Sequence, residues 1–446
     1  MITLTGRWKN GTIEALGAIA LAAILALAVG LVRGSQPSVR SEASQQAVDG
    51  RTAGQRAVDQ AQRRMSVAPN NATAMAALAS AYLLRAREVA DPTYYNRAEA
   101  LLESATAVDP EEPDVVLAAG TLALTRHEFA QALGQGQRAI ELSPYRSAAY
   151  GVLTDALVEL GRYDEAITAA QQMVDLRPDQ TSLSRVSYLR ELHGDLDGAA
   201  DAMRQAVAAG APRSEATAWS EVQLGNLLFA RGDLAGAEHT YRQAGLRIEG
   251  YVPAIAGLAR VQAATGDLAG AASLYERAVL ATPLAEYAIA LGDVYARLSD
   301  QDRAAAQYEL ADAIGRLFAA NGVRMDLELA VFHADHGRNL DEALAAVQAE
   351  YALRPSVAVA DALAWVEYRT GDLAGALVHR GEALRLGTRD PLMLYHAGVI
   401  AQANGDDEAA RTLLSESAAL NPRFSLRWAD DLAARVDLLT SSGGTQ

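Results

Sequence analysis

The sequence predicts an all-α solenoid, and three observations predict it. The stretch GDLAGA stands at residues 232–237, 266–271 and 371–376, so that Gly232 and Gly266 are 34 residues apart and Gly371 follows 105 later, close to three more periods. Looser copies, GDLDGA from Gly194, GRYDEA from Gly161 and GDDEAA from Gly405, fall on the same grid. A recurrence at that period marks a repeat array. Between these points apolar residues step by three and four, the spacing of one helix face. Glycine and proline alternate as the breakers between the stripes.

The clearest unit runs from Ala148 to Pro178. Tyr150, Leu153, Leu157 and Leu160 form one helical stripe, and Gly161 can take the positive φ that ends it. Tyr163, Ala166, Ile167, Ala170 and Val174 form a second stripe, which Pro178 stops. Two short helices joined by a tight turn cannot bury their own apolar faces, so each hairpin must stack on its neighbours. GDLAGA is the elbow of that hairpin: Gly ends the first helix, Asp accepts orphan amides of the second, and the last Ala enters the helix crossing.

These features resemble the tetratricopeptide repeat family. Its paired alanines, seven residues apart in the second helix, stand here as Ala98/Ala105, Ala132/Ala139, Ala199/Ala206, Ala237/Ala244, Ala271/Ala278 and Ala304/Ala311. A larger side chain there would force the helices apart. The family's Leu-Gly is found as Leu224-Gly225 and Leu291-Gly292, with Gly120, Gly257 and Gly398 in or near the same crossing region. Closing prolines are Pro69, Pro110, Pro144, Pro178, Pro283, Pro355 and Pro422. The resemblance implies a right-handed superhelix of about ten hairpins over residues 51–422, followed by a capping helix at 423–439 with Leu426, Trp428, Leu432, Val436 and Leu439 on one face. Residues 440–446 read as a disordered tail.

Ahead of the repeats, Ala15 to Val32 are 18 consecutive apolar or glycine positions. As a helix they would reach about 27 Å, enough to cross a hydrocarbon core. Arg7 and Lys9 precede the run, Arg33 follows it, and residues 34–50 form a polar linker. The expectation is a signal anchor over residues 1–33 that enters the lipid bilayer through 15–32. The bacterial inner (cytoplasmic) membrane would then hold the chain by a single pass, with the repeats extracytoplasmic. The alternative is a secreted soluble scaffold, cleaved at the small residues Ala26–Ala28.

Composition narrows the chemistry. With 446 residues and a net charge of −16 spread along the chain, clustered Lys and Arg for nucleic acid are missing. The sequence has no cysteine, which removes disulfides, thiolate catalysis and zinc–sulfur sites. Lys9 is its only lysine, so the repeats hold neither a P-loop nor a Schiff-base lysine. GQGQRA at 134–139 outlines a dinucleotide turn, but it falls inside a second helix with no strand before it. His333, Asp335 and His336 could bind a metal, though a solvated helix end is the simpler reading. No GxSxG elbow is present. The expectation is a non-enzymatic protein without cofactor; a saccharide or metal-ligand binder is the minor alternative.

The resemblance implies that first helices line a concave groove, left open for an extended or helical peptide. The groove positions are Asp155 and Glu159, Tyr188, Trp219 with Asn226 and Phe229, and Arg260. Further along come Asp293, Glu328 with Phe332, Asp361 with Trp365 and Tyr368, and Tyr395 with Gln402. Without lysine, the family's basic clamp for a carboxylate terminus cannot form, and an aromatic groove with scattered carboxylates suits an apolar or basic partner segment. Each aromatic is equally consistent with packing between helices.

Overall fold

Hairpins of α-helix follow one another from Ala72 to Leu420. The computed structural model describes residues 52–324 and 326–442; the expected membrane segment, linker and final residues lie outside them. Among the described residues there are helices and no strand. A leading helix α1 (Ala53–Val67) precedes ten hairpins. The first five are α2 (Ala72–Val89) with α3 (Thr93–Val108), α4 (Pro113–Thr125) with α5 (Phe129–Leu142), α6 (Ser147–Glu159) with α7 (Tyr163–Leu176), α8 (Gln180–Leu192) with α9 (Leu196–Ala209), and α10 (Glu215–Ala230) with α11 (Leu234–Arg247). The next five are α12 (Val252–Thr265) with α13 (Leu268–Ala281), α14 (Ala285–Arg297) with α15 (Gln301–Ala319), α16 (Asp326–His336) with α17 (Leu340–Leu353), α18 (Val357–Thr370) with α19 (Leu373–Ala383), and α20 (Pro391–Ala403) with α21 (Asp407–Leu420). A last helix, α22 (Ala429–Ser442), packs Leu432 and Leu439 onto the core of the last hairpins. None of the described helices is long and apolar enough to cross a membrane.

The hairpin crossings form as the residue sizes dictate. Every one of the six alanine pairs is buried. A Cβ on Gly225 would stand 2.5 Å from the Tyr241 ring, and one on Gly257 2.6 Å from the same ring, so Tyr241 lies wedged between two first helices. The amides of Gly198, Gly236, Gly270 and Gly375 donate to the side chains of Asp195, Asp233, Asp267 and Asp372, which cap the second helices. First helices are enclosed and second helices are half-exposed. From Val357 to Glu367 every residue of α18 is buried, whereas α19 buries only Ala376 and Ala383.

Beyond these neighbour contacts, the coil also closes on itself. Call the turn inside a hairpin its elbow and the turn between hairpins a joint. Elbows of hairpins two to five rest on joints about six hairpins later. At the third elbow, Arg354 Nη1 donates to Glu159 Oε2 at 2.6 Å, across 195 residues, and the Val357 amide donates to Tyr163 Oη at 2.8 Å, across 194. At the fifth, Asn421 Nδ2 donates to the Phe229 carbonyl at 2.7 Å, across 192. The core follows the same rule. Ala72, Ala98 and Ala105 of the first hairpin share a cluster with Ala285, Ala311, Ile314 and Phe318 of the seventh. Leu157, Tyr163 and Leu192 share one with Val357, Ala360 and Met393. Successive turns of the coil are thus in direct contact, beyond the stacking of each hairpin on its neighbours.

Candidate functional site: the inner face of the coil

First helices carry their polar inner residues to positions where the next first helix can reach them. The outcome is a ladder of hydrogen bonds. Arg185 on α8 grips Asp155 on α6 with two bonds, Nε to Oδ1 at 2.8 Å and Nη2 to Oδ2 at 2.7 Å. Arg260 on α12 donates to Asn226 Oδ1 on α10 at 2.5 Å, and Tyr241 Oη donates to the same oxygen at 2.7 Å. Asp293 on α14 accepts from Tyr308 Oη at 2.8 Å and faces His336 Nε2 at 2.9 Å. Trp365 Nε1 on α18 donates to Asp335 Oδ1 at 2.8 Å, His396 Nδ1 on α20 lies 3.0 Å from Asp361 Oδ2, and Tyr395 Oη donates to Asp431 Oδ2 at 2.6 Å. Each rung satisfies a group that would be costly to leave unpaired in this setting.

Aromatic rings fill the space between the later rungs. His396 stacks on Trp365 with centroids 4.1 Å apart, Tyr368 stacks on it at 5.2 Å, and Tyr395 stacks on Trp428 at 5.5 Å. Trp365 is only 1% exposed. Trp219, Phe229, Phe332, Asp361, Trp365 and Tyr395 are all buried, so none of the six faces an open trough. That corrects the expected groove: large rings on the inner face gain more by packing against the next first helix than by waiting for a guest. Tyr188, Asn226, Arg260, Asp293 and Tyr368 keep partial exposure, as do Glu328 and Gln402.

Electrostatics on this face are unusual in two places. Burial raises the Glu286 carboxyl, and burial followed by the nearby Glu286 charge raises that of Glu328. At the contact between turns, burial lifts Asp390 to about 7, with Asp361 adding to the rise and His396 opposing it. Glu191 on α8 is pushed well above the ordinary carboxylate range by burial and then by the Asp390 charge. Glu159 and Asp155 are also raised by burial, while Arg354 and Arg185 pull them back.

The remaining chemical candidates resolve structurally. His333 lies 3.4 Å from Asp312, and among the described residues no group of three or more His, Asp or Glu could hold a metal. GQGQRA lies within α5, where a Cβ on Gly136 would come within 3.0 Å of the Leu153 amide nitrogen on α6. The groups that sequence reasoning missed are Arg87, Glu191, Arg354 and Asp390. Arg87 on α2 pairs with Glu215 on α10, 128 residues away. Their partners lie far along the chain and answer to no local period.

Comparison with known proteins adds a partial family match. Residues 93–147, 152–215 and 257–317 match the tetratricopeptide repeat. No curated protein sequence matches the chain. Among solved structures, the chain is similar to the human IFIT1 dimer with PPP-AAAA, at 15% identity and a TM-score of 0.48, covering 74% of this chain and 77% of that one. It is similar to yeast Tom70 at 12% identity and a TM-score of 0.37, covering 87% and 96%. It is also similar to a chain of the APC/C hetero-tetramer Cut9-Hcn1 at 18% identity and a TM-score of 0.38, covering 81% of this chain and 63% of that one, so it spans less than two thirds of that relative. Three matched stretches, together less than half of the chain, are thus similar to the tetratricopeptide repeat, and they lie in a continuous array of helical hairpins with buried alanine crossings.

Proposed function

We propose that the chain is a non-enzymatic scaffold that binds a partner protein or peptide, held at the bacterial inner membrane through residues 15–32 with its repeats extracytoplasmic. A repeat array of this type suits protein–protein interaction. The observation that carries the reading is the inner face itself. Its first helices present spaced, partly exposed polar and aromatic groups, Tyr188, Asn226, Arg260, Asp293 and Tyr368, of which Arg260 is braced by Asn226 and Asp293 by Tyr308. Such a row offers an extended or helical segment many weak, spaced contacts, with carboxylates for a basic residue and rings for an apolar one. The partner would belong to an envelope assembly, secretion or maturation complex.

The test is photo-crosslinking from Tyr188, Asp293 and Tyr368 in native membranes, with Glu238 on the outer helix α11 as the control position. Partner adducts from the first three and none from the control support the scaffold reading; adducts only from the control place the partner elsewhere. Sequencing the mature N-terminus separates anchor from leader. A start after Ala28 favours the secreted soluble scaffold.

A further inference from the structure

The contact between turns has two sides, and each continues to a free edge. In the second turn, the joints are covered: Val323, Arg354, Ser356, Thr388, Asp390 and Asn421 are all buried beneath first-turn elbows. Among the described residues, the corresponding joints of the first turn have no elbow above them. The helix caps Asn71, Asp109 and Arg177 are exposed there. Beside those joints stand Val67 at 86%, Tyr145 at 88%, Leu246 at 79% and Leu280 at 87% exposure, among the most exposed large apolar residues of the structure. Large apolar side chains left this open along one edge mark an interaction surface.

At the opposite end, the second-turn elbows are equally bare. A Cβ on Gly266, Gly371 or Gly405 would meet nothing within 4 Å, whereas one on Gly161 would lie 2.6 Å from the Pro355 carbonyl oxygen and one on Gly232 2.5 Å from that of Leu420. The same elbow design is therefore covered at the third and fifth hairpins and uncovered at the sixth, ninth and tenth. Both edges also carry charge that is paired within the chain: Arg297 with Asp430 and Arg338 with Glu309 and Asp312 near the second-turn elbows, and Glu111 with Arg138 and Asp114 with Arg146 at first-turn joints.

We infer that a second copy of this chain docks head to tail, laying its second-turn elbows on the first-turn joints and so extending the coil between molecules. The interface would repeat the intramolecular one: an elbow seated on a joint, with apolar contact from Tyr145, Leu246 and Leu280. Being heterologous, it forms a filament or a ring according to whether the rotation closes. This assembly is distinct from the guest site on the inner face.

The cysteine-free sequence makes the test direct. One preparation of the full chain carries Tyr145→Cys and another Leu298→Cys, a residue at the seventh elbow. Mixed under mild oxidation, they should form a disulfide between the two variants in preference to either with itself. Light scattering of the wild type should show mass rising with concentration, and the exposed pair Tyr145→Glu with Leu280→Glu should return it to a monomer with an unchanged helical spectrum. A wild type that stays monomeric at submillimolar concentration overturns the inference. So does preferential pairing of Tyr145→Cys with itself, which would mean that the joint edges meet back to back.

Discussion

Gly232 and Gly371 open the same six-letter word in this chain and end in different surroundings. Both adopt positive φ, 78° and 93°. Asp233 and Asp372 cap the helices that follow by accepting from Gly236 and Gly375 amides at 2.9 and 3.0 Å, and Ala237 and Ala376 are both fully buried in the crossing. Yet the first elbow is pressed under the Leu420 carbonyl and held by Asn421, while the second meets solvent. The repeated word builds the hairpin and says nothing about what lies on top of it. Closure of the coil depends on residues outside the word, at joints such as Arg354-Pro355 and Asn421.

The largest effects should come from the covered side. Arg354 sits between Glu159 and Glu350, all three buried, with its guanidinium over the Phe129 ring at 5.1 Å. Arg354→Ala leaves two carboxylates without their cation and should cost about 3–5 kcal/mol in denaturant unfolding. Arg338→Ala, which loses one exposed partner, Glu309, and one half-buried partner, Asp312, at the second-turn edge, should cost less, about 1 kcal/mol. Equal losses for the two would mean that the turns do not rest on one another. Trp365→Ala should likewise cost about 3–5 kcal/mol, because it empties a closed ring cluster. A loss of partner binding with stability intact would instead return that ring to an open groove.

The matched glycines refine the comparison. Either Gly→Ala change places a Cβ in the left-handed region, at about 1 kcal/mol. At Gly232 the new methyl also meets the Leu420 carbonyl, adding about 1–3 kcal/mol for the shift it forces. Gly371→Ala should show only the backbone share. The difference between the two, read from paired melting curves, measures the contact between turns at that point.

Proton linkage reads the same contact by another route. Asp390 rises from an ordinary 3.8 to about 7 in the fold, with Glu191, Asp361 and His396 facing it. A carboxyl that holds its proton more tightly when folded stabilises the fold fully below its unfolded pKa, and that stability is lost as pH climbs through the folded value. The wild type should therefore weaken between about pH 4 and pH 7. Asp390→Asn keeps the cap on the Met393 amide, bonded at 2.7 Å, and should reduce the slope, leaving the share of the other burial-raised carboxyls Glu191, Glu286 and Glu328. An unchanged slope would show that this carboxyl does not carry it.

How far the sequence could reach follows from these residues. Hairpins were legible because Gly, Asp and paired Ala recur at one spacing and act within a few residues of themselves. Even the exceptions kept the geometry: His127 and Ser299 take the elbow's positive φ without glycine, at 62° and 63°. The inner-face residues were legible as positions but not as an open surface. Trp365 and Tyr395 look alike whether they await a guest or pack on the next helix, and only the neighbour decides. The contact between turns was invisible. Glu159 and Arg354 are 195 residues apart, a separation set by the pitch of the whole coil and by no motif.

The smallest expected effect is the one that isolates the local part of the comparison. Asp233→Ala and Asp372→Ala each remove one helix cap, bonded at 2.9 and 3.0 Å to an amide three residues on, and each should cost about 1 kcal/mol. Because that bond lies wholly inside the hairpin, the two losses should agree even though one elbow is covered and the other bare. Agreement here, alongside a clear inequality between Gly232→Ala and Gly371→Ala, would separate what the repeated word supplies from what the next turn adds. A larger loss at Asp233 would mean that its cap and the Asn421 contact fail together, and that the elbow and the turn above it form one cooperative unit.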